Sequence, residues 1–279
     1  MGNPMLFFIL AFSISTLSLY LLAISYNTRK RKVRQLASLE LLHNMRQLLS
    51  LIQQHRGFST GFLHGNESVL NNIDRLHTLA ETHIKAIDSA THYVDISDRW
   101  ESITEHWSRL STNYKKLSPE NNMLQHNTLI RGFLFLMDDI EHAHDMQILK
   151  KYLDTDQQFL WQDLLYASEY IGQSRALGMG ASSEGNCSSA TRINLNYLCN
   201  KITDKTQTVW LNAPPSAQQR ACIDKLLQSL NQDIMQEKIT IRANDFFDIA
   251  SAALNSLHTQ YDQLVTSTQK HIDKHHFFQ

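Results

Sequence analysis

Between Met5 and Ile24 the chain runs for 20 residues without a charged side chain, LFFILAFSISTLSLYLLAI at its heart. In lipid such a stretch has one stable form, a helix that satisfies its own backbone hydrogen bonds across about 30 Å of hydrocarbon. Directly behind it stands RKRKVR, Arg29 to Arg34, with five basic residues in six, and no charged residue precedes it. That asymmetry predicts a single pass with the C-terminal flank in the cytoplasm, so an inner-membrane location, and basic side chains against anionic headgroups. A cleaved signal peptide would need a basic region in front and a small-residue cleavage site behind. Ala23-Ile24-Ser25 is only a weak version of such a site. The expected organisation is therefore a transmembrane anchor over 1–28, a basic juxtamembrane segment over 29–35 and a soluble domain over 36–279.

The soluble part has to be helical. Nine glycines and four prolines in 279 residues are too few turn residues for a many-stranded protein. Lysine and arginine number 26 against 27 acidic residues, a balance that argues against direct nucleic-acid binding. Three cysteines, Cys187, Cys199 and Cys222, define neither a disulfide framework nor a zinc site. Apolar residues at threes and fours, Leu36, Leu39, Leu42, Met45, Leu49 and Ile52, predict a first helix from about Val33 to Leu63. Further helices are expected over Glu67–Val94, Ser97–Lys116, from Ser118-Pro119-Glu120 to about Tyr152, and from Thr155 to Gly180. After the loop SSEGNCSS at 182–189, a sixth ends near Trp210, a seventh starts at Ser216, and the last starts at Asp233 or Asn244. Eight helices with short connections predict an all-α fold, an N-terminal transmembrane helix followed by two packed up-down four-helix bundles.

Two arginines break the pattern. Met45, Leu49 and Ile52 lead at helical steps to Arg56, and Leu160, Leu164, Ser168 and Ile171 lead likewise to Arg175, so both guanidinium groups fall on apolar faces. Their surroundings rhyme: RGFSTG at 56–61 and RALGMG at 175–180 each set a small residue beside the arginine and a glycine five positions on. A buried arginine without an anion costs several kcal/mol. Each therefore needs a partner, either a core carboxylate or a bound ligand.

Other constellations are weaker. Asp138, Asp139, Glu141, His142, His144 and Asp145 form a dense run in which Asp138, His142 and Asp145 share a helix face, as metal ligands or as a solvated face. His271, His275 and His276 lie in the tail. Neither group is taken as a metal site, and no cofactor is expected. The serines and cysteines have no paired base in a recognisable spacing, and no phosphate-cradling glycine loop is present, so no catalytic residues and no enzymatic activity are expected.

The segment LLHNMRQLLSLIQQHRGFSTGFLHG, Leu41 to Gly65, resembles the opening helix of the nitrate- and nitrite-sensing (NIT) domain family, a leucine-rich helix ending in Gln-x-x-Arg-Gly-x-Ser-x-Gly. WQDLLYASEYIGQSRALGMG, Trp161 to Gly180, is similar to that family's second signature, a Glu-x-x-Gly-x-x-Arg-Ala run. LIRGFLFLMDDI and LNSLHTQYDQLV resemble its fourth and last helices, and order and spacing agree over most of residues 36 to 274. The resemblance implies two up-down four-helix bundles that bind nitrate or nitrite through arginines between them, in proteins regulating antitermination, signalling enzymes or chemoreception. Carried onto this chain it assigns the ligand to Arg56 and Arg175, with Ser59 of the first motif beside them. His55 stands where the family often has another charged residue, which would make one ligand contact pH-dependent or remove it. A third arginine is expected near the last helix, and Arg242, four residues before Phe246 on the stripe Phe246, Ala250, Ala253, Leu257 and Tyr261, is the candidate.

The chemistry agrees with that assignment. Nitrate is flat and monovalent, and its oxygens accept paired hydrogen bonds from the planar guanidinium fork, which lysine cannot supply. Formate or acetate would suit the same fork, and a membrane-tethered helical scaffold needs no ligand at all. No recognisable output domain follows the helices, so the expected partners are the ligand, the inner membrane, a downstream signalling protein acting in trans, and a second copy of the chain as a homodimer.

Overall fold

The computed structural model describes residues 4–90, 96–143, 146–149 and 161–274. About 90% of the chain is helical and no strand occurs among the described residues. The expected membrane segment and the first domain helix are one element, α1, Pro4–Leu63, whose 60 residues contain no proline or glycine between Met5 and Arg56 to interrupt it. From Phe7 to Tyr26 its large apolar side chains are exposed, and from Leu39 to Ile52 they are buried. This is the one helix among the described residues long and apolar enough to cross a membrane, with a mean hydropathy of 2.2 in its richest window.

Helices α2 (Leu70–Ala90), α3 (Ser97–Asn113) and α4 (Pro119–Glu141) pack with the later half of α1 as the first bundle. Helices α5 (Trp161–Glu184), α6 (Ser189–Asn212), α7 (Ala217–Ser229) and α8 (Ala243–Lys274) form the second. The expected boundary signals act where they stand. Ser118 accepts from the amide of Asn121 with Pro119 at the first helical position, and Ser216 and Gln219 form a reciprocal capping box. Helices α1 and α5 both end on a left-handed glycine, Gly65 at φ 92° and Gly185 at φ 69°. In each, the following amide reaches back to close the last turn, Asn66 to the carbonyl of Gly61 and Asn186 to that of Ala181.

Two boundaries differ from expectation. Helix α4 stops at Glu141 rather than near Tyr152; His142 turns its amide back on Asp138 and Ile140, and the chain re-enters the core at Met146 and Leu149, with no glycine or proline to mark the break. Helix α5 runs past Gly180 because Ala181 still packs in the core. The expected start of that helix at Thr155, and Leu160 of its stripe, lie outside the described residues, as do His144, Asp145, His275 and His276.

The bundles meet through α1 and α4 on one side and α5 and α8 on the other. Helix α8 runs antiparallel to α1, tied by the fork of Arg46 on Asp262 at 2.9 and 2.6 Å and, nearer the apolar segment, by Lys32 and Asp273 at 3.4 Å. The residue spacing from Tyr26 to Arg56 puts about 45 Å of unbroken helix between the apolar segment and the bundle junction.

Candidate anion site at the bundle junction

All four helices of the junction contribute to a buried polar cluster. Arg56 of α1 is 1% exposed. Its Nη1 donates to Glu169 Oε1 and to Asn127 Oδ1, both at 2.6 Å, and its Nη2 to Glu169 Oε2 at 3.2 Å. Glu169 of α5 also accepts from Gln53 Nε2 at 3.1 Å and Gln173 Nε2 at 2.8 Å. Its carboxylate is thus held from three sides and carries its full complement of donors.

Such close packing requires a bare helix face. A Cβ on Gly172, one turn after Glu169, would stand 2.5 Å from Arg56 Nη2, so glycine is what lets the guanidinium lie against α5. Reciprocally, a Cβ on Gly57 would come 3.8 Å from Arg175 Nη2. The two signature arginines are therefore both held at the contact of α1 with α5, each beside the other motif's small residue.

Arg175 is 7% exposed, yet among the described residues it makes no ion pair. Its Nη1 donates to Ser251 Oγ at 2.9 Å, and its guanidinium lies 4.9 Å from the centre of the Phe247 ring, both on α8. Burial, and then the positive charge of Arg56, draw it down to about 10, with Glu169 opposing. Among the described residues Glu169 is the one carboxylate that acts on it, and that carboxylate is already paired with Arg56.

The other expected residues are placed differently. His55 faces the first bundle, where its Nδ1 is 2.8 Å from His126 Nε2 and its ring packs against His77, Trp107 and Tyr114. Burial, followed by the nearness of His126 and His77, lowers it to about 2. His126 Nδ1 lies 2.7 Å from the carbonyl of Asn122, so the two rings form a neutral chain. Ser59 is fully buried in the same seam, accepting from Asn122 Nδ2 at 2.9 Å. Arg242 is not brought to the pair. It stands one residue before α8 begins, where the stripe through Phe246 cannot be extended backwards because the backbone has left the helix. Its side chain is 85% exposed and forks onto Asp245 at 2.7 and 2.9 Å.

Glu169, Asn127, Ser251 and Phe247 complete the cluster and were not singled out from the sequence, although Glu169 and Gly172 both sit in the Glu-x-x-Gly-x-x-Arg run. A groove of about 320 Å³, lined by Met123, Asn127, Gln173, Leu177, Asn194 and Tyr197, reaches the cluster's edge at Asn127 and Gln173. Among the described residues no three histidine, cysteine or acidic side chains are arranged to hold a metal, and the three cysteines are free.

The family model for nitrate and nitrite sensing matches residues 47–269, most of the chain and both arginine motifs. No curated protein sequence matches it significantly. Among solved structures, that of the NasR transcription antiterminator has the same fold, with a TM-score of 0.67 over 92% of this chain and 74% of that one at 15% identity.

Proposed function

The chain belongs to the nitrate and nitrite sensing family, and from that membership we propose that it is a membrane-anchored sensor, not an enzyme, which binds nitrate or nitrite between its bundles and signals to a partner chain. The observation that carries this reading is Arg175, a buried guanidinium with no ion pair of its own among the described residues, set beside the paired Arg56 where four helices meet. A planar anion would supply the missing charge and accept from the guanidinium fork. Because the cluster joins α1 and α4 to α5 and α8, an anion bound there favours one relative placement of the bundles, and the continuous α1 carries that preference toward the membrane segment. The anchor is the exposed apolar segment Phe7–Tyr26, and the RKRKVR flank supports a cytoplasmic sensory domain. A second copy of the chain or a separate signalling protein receives the output.

A scaffold without ligand is favoured by one feature, the closed pair of Arg56 and Glu169, but that pair leaves Arg175 unexplained. The test is thermal unfolding of the full chain in nanodiscs. Nitrate or nitrite at a hundredfold excess over its dissociation constant should stabilise the fold by roughly 2.7 kcal/mol, and chloride at equal ionic strength should not. An equal response to formate or acetate would reassign the ligand, and no response to any of them at millimolar concentration would leave the scaffold reading.

A further inference from the structure

The cluster contains more carboxylate than binding an anion requires. Glu169 takes both donors of the Arg56 fork that face it and two amide donors besides, so it is a fixed part of the site rather than a plug that a small anion displaces. The buried charges can then be counted. Within the cluster Arg56 and Arg175 contribute two positive charges and Glu169 one negative, and His55, His126 and His258 are neutral; the pair of Arg46 and Asp262 and the buried Glu141 stand about three and four helical turns away along α1 and α4. One positive charge remains, on Arg175.

We propose that Glu169 is the specificity-determining residue of this site, cancelling the charge of Arg56 so that the junction accepts one negative charge and excludes dianions such as sulfate and hydrogen phosphate. The inference rests on the reading that an anion binds at Arg175. Sulfate resembles nitrate in offering oxygens to a guanidinium, and two buried arginines without Glu169 would suit it better than nitrate. With Glu169 in place a dianion leaves an uncompensated negative charge at a site that is almost closed to solvent. One charge at about 6 Å in a medium of effective dielectric near 20 changes an anion's affinity by about a hundredfold. In this arrangement Arg56 is a positioning residue, pinned by Glu169 and Asn127, and Arg175 is the side chain that takes the anion.

Calorimetric titration of the full chain in nanodiscs at pH 8 with sodium nitrate and sodium sulfate tests this, using the parent, Glu169→Gln and Asn127→Asp. The parent should bind nitrate and reject sulfate. Glu169→Gln keeps the volume and removes the charge, so sulfate should gain at least about tenfold on nitrate. Asn127→Asp keeps the acceptor facing Arg56 Nη1 and therefore the fold, but adds a negative charge, and nitrate affinity should fall at least about tenfold. If Glu169→Gln does not fold, Asn127→Asp decides alone. A parent that binds sulfate as well as nitrate, or variants that bind both anions as the parent does, overturn the role of Glu169 while leaving the sensor reading intact. A parent that binds neither overturns the sensor reading itself.

Discussion

Arg56 and Arg175 look alike in the sequence, each at the end of an apolar stripe, but they carry opposite expectations for stability. Arg56 holds a buried carboxylate. Its replacement by alanine strands Glu169 at the junction, and breaking one partner of a buried pair costs about 3–5 kcal/mol. Among the described residues Arg175 pairs with no carboxylate that its loss would strand; it contacts Ser251 and the face of Phe247. Arg175→Met removes a desolvated charge and its repulsion with Arg56 while keeping the apolar stem, so in anion-free buffer the variant should be at least as stable as the parent. The nitrate response should disappear. Urea unfolding of both variants in anion-free buffer and in nitrate checks this; a loss of several kcal/mol in Arg175→Met would mean that Arg175 is a structural cation.

The seam between α1 and α4 shows how a polar stripe can sit inside a bundle. Across the two helices His55 pairs with His126 and Ser59 with Asn122, and within α4 His126 turns its other nitrogen to the Asn122 carbonyl, which leaves the outer ring nitrogen of His55 buried without a partner. The histidines must stay neutral for this to hold. Burial lowers His55 to about 2 and His126 to about 3, and on α8 burial and then Arg46 lower His258 to about 3. In an unfolded chain each binds a proton near pH 6.5, so the unfolded state takes up protons first as pH falls, and stability present above that pH is lost below it. Each histidine contributes a slope of about 1.4 kcal/mol per pH unit, so the three together remove up to about 4 kcal/mol by pH 5.5. Carboxylates such as Asp262, whose values are depressed, act only at lower pH. Unfolding midpoints at pH 7.5 and 5.5 should therefore differ widely, and equal midpoints would show that these rings are already charged in the fold.

At the scale of the whole molecule, α1 joins the apolar segment to the bundle junction without a break, and α8 returns beside it from Ser251 through Asp262 to Asp273. The two antiparallel helices make a stiff strut whose far end carries the apolar segment. A reporter fused at Gln279 should behave as cytoplasmic, because the basic cluster at 29–34 resists translocation; an active periplasmic alkaline phosphatase at that position would invert the topology. Much of this architecture was legible in the sequence for a physical reason. Helical periodicity, the caps at Ser118 and Ser216, the uncharged run and the burial of Arg56 and Arg175 are properties of neighbours in the chain. The stop of α4 at Glu141 was not legible, since no local signal marks it, and Arg242 was assigned inward because the stripe of α8 was continued past the helix's first residue. What only the tertiary structure decided is who pairs with whom. Two arginines with the same local pattern called for two anions, and among the described residues the fold pairs one of them with Glu169, 113 positions away, and gives the other no ion pair. Periodicity fixes which face a side chain occupies, but the charge that meets it there depends on which helices are brought together.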